Sequence, residues 1–308
     1  MSHSEKISIV VPVYYGEHTI AELVERCRNT IKKLGLQWEF VLVNDASPDQ
    51  SWEVIQSLNK EDSAVRGVNF SRNFGQHYAI SAGLTYTTGD WIVVMDCDLQ
   101  DVPEEIEKLY AKALDGFDIV LAQRKIRKDG FFKRFFSRRF YGLLSYLSGA
   151  KYDAQVANFG IYRKKVIETI IALPEKNRFF PSMIKWVGFH HTSIEVRHSE
   201  RAEGKSSYNF KRLFNLSLDI ILSYSDKPLR LTIKLGLIIT FLALVFSAIM
   251  AYKWYVGDIE VLGYTSLILS IWLLSGIIIF VLGVVGLYIG KIFENVKDRP
   301  TYIVKEVL

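Results

Sequence analysis

The sequence predicts an α/β fold: a mostly parallel sheet with helices on both faces, followed by two membrane-crossing helices. Three observations carry that expectation. Short β-rich apolar runs alternate with helically spaced segments from Ile7 to Ala122, the pattern of strand–helix–strand units. Polar and acidic residues gather just past the ends of those runs. Two long uncharged stretches lie near the C-terminal end.

In chain order, "ISIVVPV" (Ile7–Val13) is the first strand. Ile20, Leu23, Val24, Cys27, Ile31 and Leu34 then recur at helical spacing over 19–34. The strand "EFVLVND" (Glu39–Asp45) is followed by a helical "SWEVIQSL" (Ser51–Leu58). "RGVNF" (Arg66–Phe70) is followed by a helical "HYAISAGLTY" (His77–Tyr86). "DWIVVMD" (Asp90–Asp96) leads to a helical "PEEIEKLYAKAL" (Pro103–Leu114), and "DIVLA" (Asp118–Ala122) is the next strand. Sheets of this kind bind ligands outside the carboxyl ends of their strands. The informative residues are therefore Tyr14–Glu17, Asn44–Asp45, Ser71–Asn73 and Asp96–Asp98.

Composition narrows the class. The apolar share is 49%, enough for a sizeable core, but it is concentrated after Leu229. Two cysteines, Cys27 and Cys97, give neither a disulfide framework nor metal spacing, which fits a reduced compartment. The start, Met1–Lys6, is polar, and the apolar run after it breaks at Pro12, so no signal peptide is expected there. No G-x-G-x-x-G follows the first strand and no G-x-x-x-x-G-K-[ST] occurs, which excludes dinucleotide and P-loop binding modes.

Leu235–Tyr252 is uncharged over 18 residues. As a helix it would rise about 27 Å, close to a hydrocarbon core. Val261–Ile289 is uncharged over 29 residues and would span with tilt. Lys227, Arg230 and Lys234 precede the first stretch, and Lys291, Lys297 and Arg299 follow the second. The connecting loop sets Lys253 against Asp258 and Glu260. The positive-inside rule then turns the loop outward and leaves both flanks, and the N-terminal domain, on the cytoplasmic side.

"MDCDLQD" (Met95–Asp101) puts three acidic residues after an apolar strand. Two readings are open: a polar surface turn, or a pair of carboxylates that holds a cation. Asp45 in "NDASPD" is open in the same way, between a turn or helix cap and a ligand contact.

The motifs together resemble family 2 glycosyltransferases of GT-A fold, and within them the polyprenyl-phosphate glycosyltransferases, a dolichyl-phosphate mannose synthase-like group with two C-terminal membrane helices. "VVPVYYGEHTI" is similar to the family's V-P-x-Y-N-E opening, with Tyr15-Gly16 in place of the Asn. "VLVNDASPDQS" resembles the V-D-D-G-S segment, with Asn44 for the first Asp and Asp45 kept. "MDCDLQDVPE" matches D-x-D-x-Q-x-x-P-E, "RAEGKSSY" (Arg201–Tyr208) looks like R-x-x-G-x-S-x-Y, and "DRPTYIV" is typical of the end. The resemblance implies a nucleotide-sugar pocket at Pro12, Tyr14, Glu17, Asp45, Arg72, Asn73 and Asp96. It implies a divalent cation, Mg²⁺ or Mn²⁺, on Asp96, Asp98 and Gln100, with Arg201 and Ser206 at the phosphates. A hard cation on oxygen ligands suits a departing diphosphate, and Cys97 should face away from it because alternate strand residues face opposite sides.

On the acceptor side, "RKIRKDGFFKRFFSRR" (Arg124–Arg139) mixes eight basic residues with four phenylalanines. If helical, Phe132, Phe135, Phe136 and Phe140 form one apolar face, as in a basic helix lying at a membrane surface. A nucleic-acid patch is the rival reading, and the uncharged stretches downstream favour lipid. By the resemblance Arg124 and Arg138 contact a lipid phosphate, since arginine pairs bidentately with phosphate oxygens. Related enzymes often carry an acidic residue followed by F-R-L where this chain has "ANFGIYRKK", with Asn158 and Gly160. Asn takes up no proton, whereas a phosphate monoester with a second pKa near 6 is already largely dianionic; Asp153 stands upstream as a base or positioner.

The expected organisation is a catalytic domain over 1–207 with a basic interfacial segment at 124–147. A juxtamembrane helix follows at 208–228, then a two-helix membrane domain at 229–290 and a cytoplasmic tail at 291–308. The expected activity is inverting, metal-dependent sugar transfer from a nucleotide sugar to a polyprenyl phosphate, such as undecaprenyl phosphate, at the cytoplasmic membrane, serving cell-envelope glycans. Asp98, Asp153 and Asn158 are the candidate catalytic residues, nucleic acid is not an expected partner, and a homo-oligomer is implied by the resemblance alone. Transfer to a sugar hydroxyl of a lipid-linked glycan, and a non-catalytic membrane adaptor, are the rival readings.

Overall fold

A computed structural model of the chain describes residues 5–124, 156–197, 199, 225, 227–256 and 263–308. The chain divides into two units, one holding 1–141, 152–207 and 300–308, the other 142–151 and 208–299.

The first unit is built on a sheet. In chain order its described elements are β1 (Lys6–Val13), α1 (Ile20–Lys33), β2 (Gln37–Asn44), α2 (Ser51–Glu61), β3 (Val65–Phe70), α3 (Gln76–Leu84) and β4 (Trp91–Val94). A 3₁₀ turn over Pro103–Glu105 leads into α4 (Ile106–Leu114), then β5 (Ile119–Arg124), β6 (Val156–Arg163), α5 (Lys164–Ala172), α6 (Phe180–Trp186) and β7 (His191–Val196). The chain end adds β8 (Val304–Val307). Among the described residues the sheet has eight strands in the order β7-β5-β6-β4-β1-β2-β3-β8. The ladders β3–β2, β2–β1 and β1–β4 are parallel, as expected, while β6 runs antiparallel between β4 and β5.

Alternation along the central strands makes the two faces. Ile7, Ile9, Val11 and Val13 of β1 pack with apolar residues of α1, α2 and α4. Val10, with Val41 and Val43 of β2, packs with α3, α5 and α6. Helix α3 lies so close to β1 that a Cβ on Gly83 would sit 2.5 Å from Val10 Cγ1. At the amino ends of the strands, Glu39 is buried with Lys6, Ser8 and the Thr88 amide and hydroxyl around its carboxylate. Burial works against ionisation there, but those donors outweigh it and hold the carboxyl at about 2, against an ordinary 4.5.

The chain end supplies a strand that the sequence pattern did not mark: β8 adds antiparallel to β3, with Val68 opposite Val307 and Phe70 opposite Val304. The sequence of β8, "VKEV", is short, exposed and charged, so no burial period marks it. Strands β6 and β7 likewise lie beyond the alternating pattern that ends at Ala122; β6 brings in the antiparallel direction, while β7 pairs parallel with β5.

The second unit contains α7 (Lys227–Val256) and α8 (Tyr264–Val296). Tyr288 Oη donates to the Ser225 carbonyl at 2.8 Å. Among the described residues one stretch, Leu273–Val296, is long and apolar enough to cross a membrane, with mean hydropathy 2.5. The expected interfacial segment beyond Arg124 and most of the juxtamembrane helix at 208–228 lie outside the described residues.

Candidate active site

The carboxyl ends of β1, β2, β3 and β4 share one sheet edge because these strands are parallel. Each loop leaving β1, β2 and β4 holds a non-glycine residue at positive φ: Tyr15 (57°), Ala46 (49°) and Leu99 (59°). Such backbone costs about 1–3 kcal/mol per residue and clusters where a loop is shaped for a ligand.

Residues Met95–Gln100 divide between the core and the sheet edge. Met95, Cys97 and Leu99 are buried in the α1/α4 core. Asp96, Asp98 and Gln100 alternate with them and are half-buried. The two carboxylates thus stand on one side of the chain, and Cys97 points the other way, where burial pushes its thiol up to about 12. Gln76, the first residue of α3, donates from Nε2 to Asp96 Oδ1 at 2.6 Å, and the Gln100 amide donates to Asp98 Oδ1 at 3.2 Å. The motif's Pro-Glu pair braces this loop: Glu104 accepts Arg26 Nε and Nη2 at 2.9 and 2.8 Å. Glu105, fully buried, is paired with Lys108 and Arg197.

Asp45 is 2% exposed. Its Oδ1 accepts the Phe74 amide at 2.7 Å and its Oδ2 the Gly75 amide at 2.9 Å. Burial raises its pKa, while these two amides and Arg72 pull it back down. The carboxylate therefore fixes the loop after β3, which carries Arg72 and Asn73, both exposed. Arg72 stacks over Phe74 at 4.1 Å.

The β1 loop is fastened to the β2 loop. The amides of Tyr15, Gly16 and Glu17 donate to Ser47 Oγ, Ser51 Oγ and Asp49 Oδ2. Glu17 Oε2 in turn accepts the Gln50 amide at 2.8 Å. Tyr14 and Tyr15 stand exposed on this loop. Pro12 is buried within β1, where it pairs with Val43, and it shapes the strand end from inside the sheet.

Three more elements end at this edge. β5 closes at Arg124, and β7 ends at Val196 beside it in parallel. In the antiparallel β4–β6 ladder the last pair is Val94–Gly160; Asp96 follows two residues past the end of β4, and Asn158 lies in β6 two residues before Gly160. The Ser199 amide donates to the Gln100 carbonyl at 3.0 Å. Asp153, Arg138, Arg201 and Ser206 lie outside the described residues. Sequence reasoning passed over Gln76, Ser47, Asp49 and Ser51; their proximity to the edge arises only when the loops fold together. A separate cavity of about 340 Å³, bounded by α3, the segment after α5 and Pro300–Tyr302, contains none of the expected site residues.

Among the described residues no three His, Cys, Asp or Glu side chains cluster as a metal cage. A hard divalent cation takes one or two carboxylates and completes its shell from phosphate oxygens and water, a donor set to which Asp96 and Asp98 could contribute.

Residues 8–171 match the family described as Glycosyl transferase family 2. The chain belongs to that family. A bactoprenol glucosyl transferase of Shigella phage SfX is 37% identical over 301 residues, covering 97% of this chain and 99% of the relative. An undecaprenyl-phosphate 4-deoxy-4-formamido-L-arabinose transferase of Salmonella paratyphi B is 33% identical over 312 residues, covering 99% and 94%. The crystal structure of mannosyl-3-phosphoglycerate synthase from Rubrobacter xylanophilus shares the fold at TM-score 0.50 and 14% identity, over 71% of this chain and 72% of that one. This family-2 member therefore has the mixed α/β sheet expected of a GT-A glycosyltransferase.

Proposed function

We propose that this family-2 glycosyltransferase moves a sugar from a nucleotide sugar to a polyprenyl phosphate at the cytoplasmic membrane face, with inversion and with a divalent cation. The observation that carries the reading is the Asp96–Asp98 pair, set on one side of the β4 end and braced by Gln76 and Glu104. The relatives named for bactoprenol and undecaprenyl phosphate, similar along nearly the whole chain, support the acceptor class.

In this reading Asp96 and Asp98, with Gln100 beside them, hold the cation on the donor diphosphate. When bound, the cation offsets charge that builds on the leaving group. Asp45 keeps the Arg72–Asn73 loop against the donor, Tyr14 and Glu17 border the nucleoside, and Arg201 and Ser206 reach the phosphates. A lipid phosphate oxygen attacks the anomeric carbon in line; that C–O bond forms as the bond to the diphosphate oxygen breaks. No proton need move, because the monoester is mostly dianionic at neutral pH. Asn158, two residues before the Gly160 that pairs with Val94, accordingly need not be a base. Arg124 and Arg138 would hold the acceptor phosphate, with Asp153 as a positioning group.

Chain connectivity supports two membrane crossings. β3 and β8 are hydrogen-bonded in one sheet, and α7 and α8 lie between them in sequence. If α8 crosses the bilayer, a second crossing must return the chain to the side it left. The charge pattern puts that side in the cytoplasm.

The test is incubation of the purified full-length chain with Mg²⁺ or Mn²⁺, undecaprenyl phosphate and a panel of nucleotide sugars. A lipid-linked sugar from at least one donor is expected; none from any donor would overturn the proposal.

A further inference from the structure

The tail runs antiparallel along β3, and two of its contacts, through Ile303 and Tyr302, lie at the loop after β3. The Ser71 amide donates to the Ile303 carbonyl at 3.0 Å, and the Leu308 amide donates to the Gly67 carbonyl at 2.9 Å. The Tyr302 ring stacks on Phe70 with centroids 5.2 Å apart and planes at 15°. Phe70 in turn meets Phe74 edge-on at 5.5 Å. Phe74 is the residue whose amide binds Asp45, and Gln76, two residues on, donates to Asp96. At the other end of β3 a Cβ on Gly67 would come 2.7 Å from Ile55 Cγ2 and 2.9 Å from Leu308 Cδ1, so the bare glycine leaves room there for both α2 and the chain end.

We propose that the C-terminal segment Pro300–Leu308 is a positioning element for the donor site, with Tyr302 as its anchor. The inference rests on the donor-site reading above for its consequence, but its structural content stands apart from it. Tyr302 touches neither Asp45 nor the carboxylate pair in any contact given above. It acts through Phe70 and Phe74, which back the loop that Asp45 and Gln76 fasten at the front. The segment begins four residues after the last residue of α8, so the element that closes the donor loop is covalently continuous with the apolar helix. A chain lacking this anchor would keep its sheet and carboxylates and lose the pre-set loop, and apparent donor affinity falls with the fraction of chains holding the competent form.

The experiment is hydrogen exchange by mass spectrometry on the full-length chain in detergent, comparing Tyr302→Ala, Tyr302→Leu and Tyr302→Phe with the wild type. Loss of the aromatic partner that Tyr302 gives Phe70 should speed exchange of a peptide spanning 71–77 roughly tenfold or more. Peptides from β1 and α1 should stay protected, and Tyr302→Phe should restore the slow exchange because it keeps the ring. Tyr302→Leu, which keeps apolar volume without a ring, should fall between and serves if the alanine variant does not fold. Unchanged exchange over 71–77 in a folded Ala or Leu variant would overturn the proposal. Where a donor supports turnover, its KM should rise in Tyr302→Ala while the KM for lipid phosphate holds. If the wild type turns over no donor, the function reading fails and the exchange result still decides this one.

Discussion

Asp45→Asn is the sharpest perturbation of the donor edge. The wild-type carboxylate has two acceptor oxygens for two amides, Phe74 at 2.7 Å and Gly75 at 2.9 Å, and is almost wholly buried. Asparagine keeps the shape but offers one acceptor; its NH₂ group must face the second amide, donor against donor. A hydrogen bond to a charged group contributes about 1.5–3 kcal/mol, and leaving a buried amide unsatisfied costs a similar amount. Taking about 2–3 kcal/mol for the pair, the loop's ordered population falls by as much as about 30- to 140-fold, at 1.4 kcal/mol per tenfold. That factor is the ceiling on lost donor affinity. The assay is steady-state transfer with the donor varied at saturating lipid phosphate. The donor KM should rise tenfold or more, up to about that ceiling, with the lipid KM unchanged. A donor KM within about twofold of wild type would refute the claim that Asp45 acts by fixing this loop.

Other outcomes follow from the same geometry. Asp96→Asn and Asp98→Asn should each reduce transfer about 100-fold or more and abolish Mn²⁺-dependent binding of a nucleoside diphosphate by calorimetry, and chelation of the wild type should do the same until metal is restored. Glu39→Gln should destabilise the chain by about 3 kcal/mol near neutral pH, since the folded carboxyl titrates at about 2 and the unfolded one near 4.5. A depressed folded pKa gives stability that is present above 4.5 and lost as pH falls towards 2, so thermal melts of wild type and variant should converge across that window. Cys27 and Cys97 are both buried, so background labelling is low; Gly257→Cys should react with a membrane-impermeant maleimide from outside intact cells, and reaction only after lysis would refute the two-crossing topology.

Much of the candidate site's edge of the sheet was legible in one dimension. Strand ends are local features, and the rule that parallel strands deliver ligands at their carboxyl ends turned Tyr14, Asp45, Arg72 and Asp96 into one site before any coordinates. That Cys97 turns from the carboxylates was expected from strand alternation; the structure gives the same burial pattern in a turn past β4 that holds Leu99 at positive φ. Gln76 on Asp96 and Ser47, Asp49 and Ser51 under the β1 loop were not, since each is an ordinary polar loop or helix-end residue until two distant segments meet.

The sequence by itself determined the alternating sheet, the side on which Asp96 and Asp98 project, the placement of Cys97 in the core and the apolar character of 273–296, all consequences of local periodicity and composition. Only the tertiary structure decided that Asp45 spends both oxygens on the Phe74 and Gly75 amides, that β6 runs against its neighbours, and that the last residues return to β3. The physical reason is that strand pairing is made by backbone amides and carbonyls, which every residue carries alike. A short charged segment such as "VKEV" therefore shows its place in the sheet only when its partner strand is there to receive it.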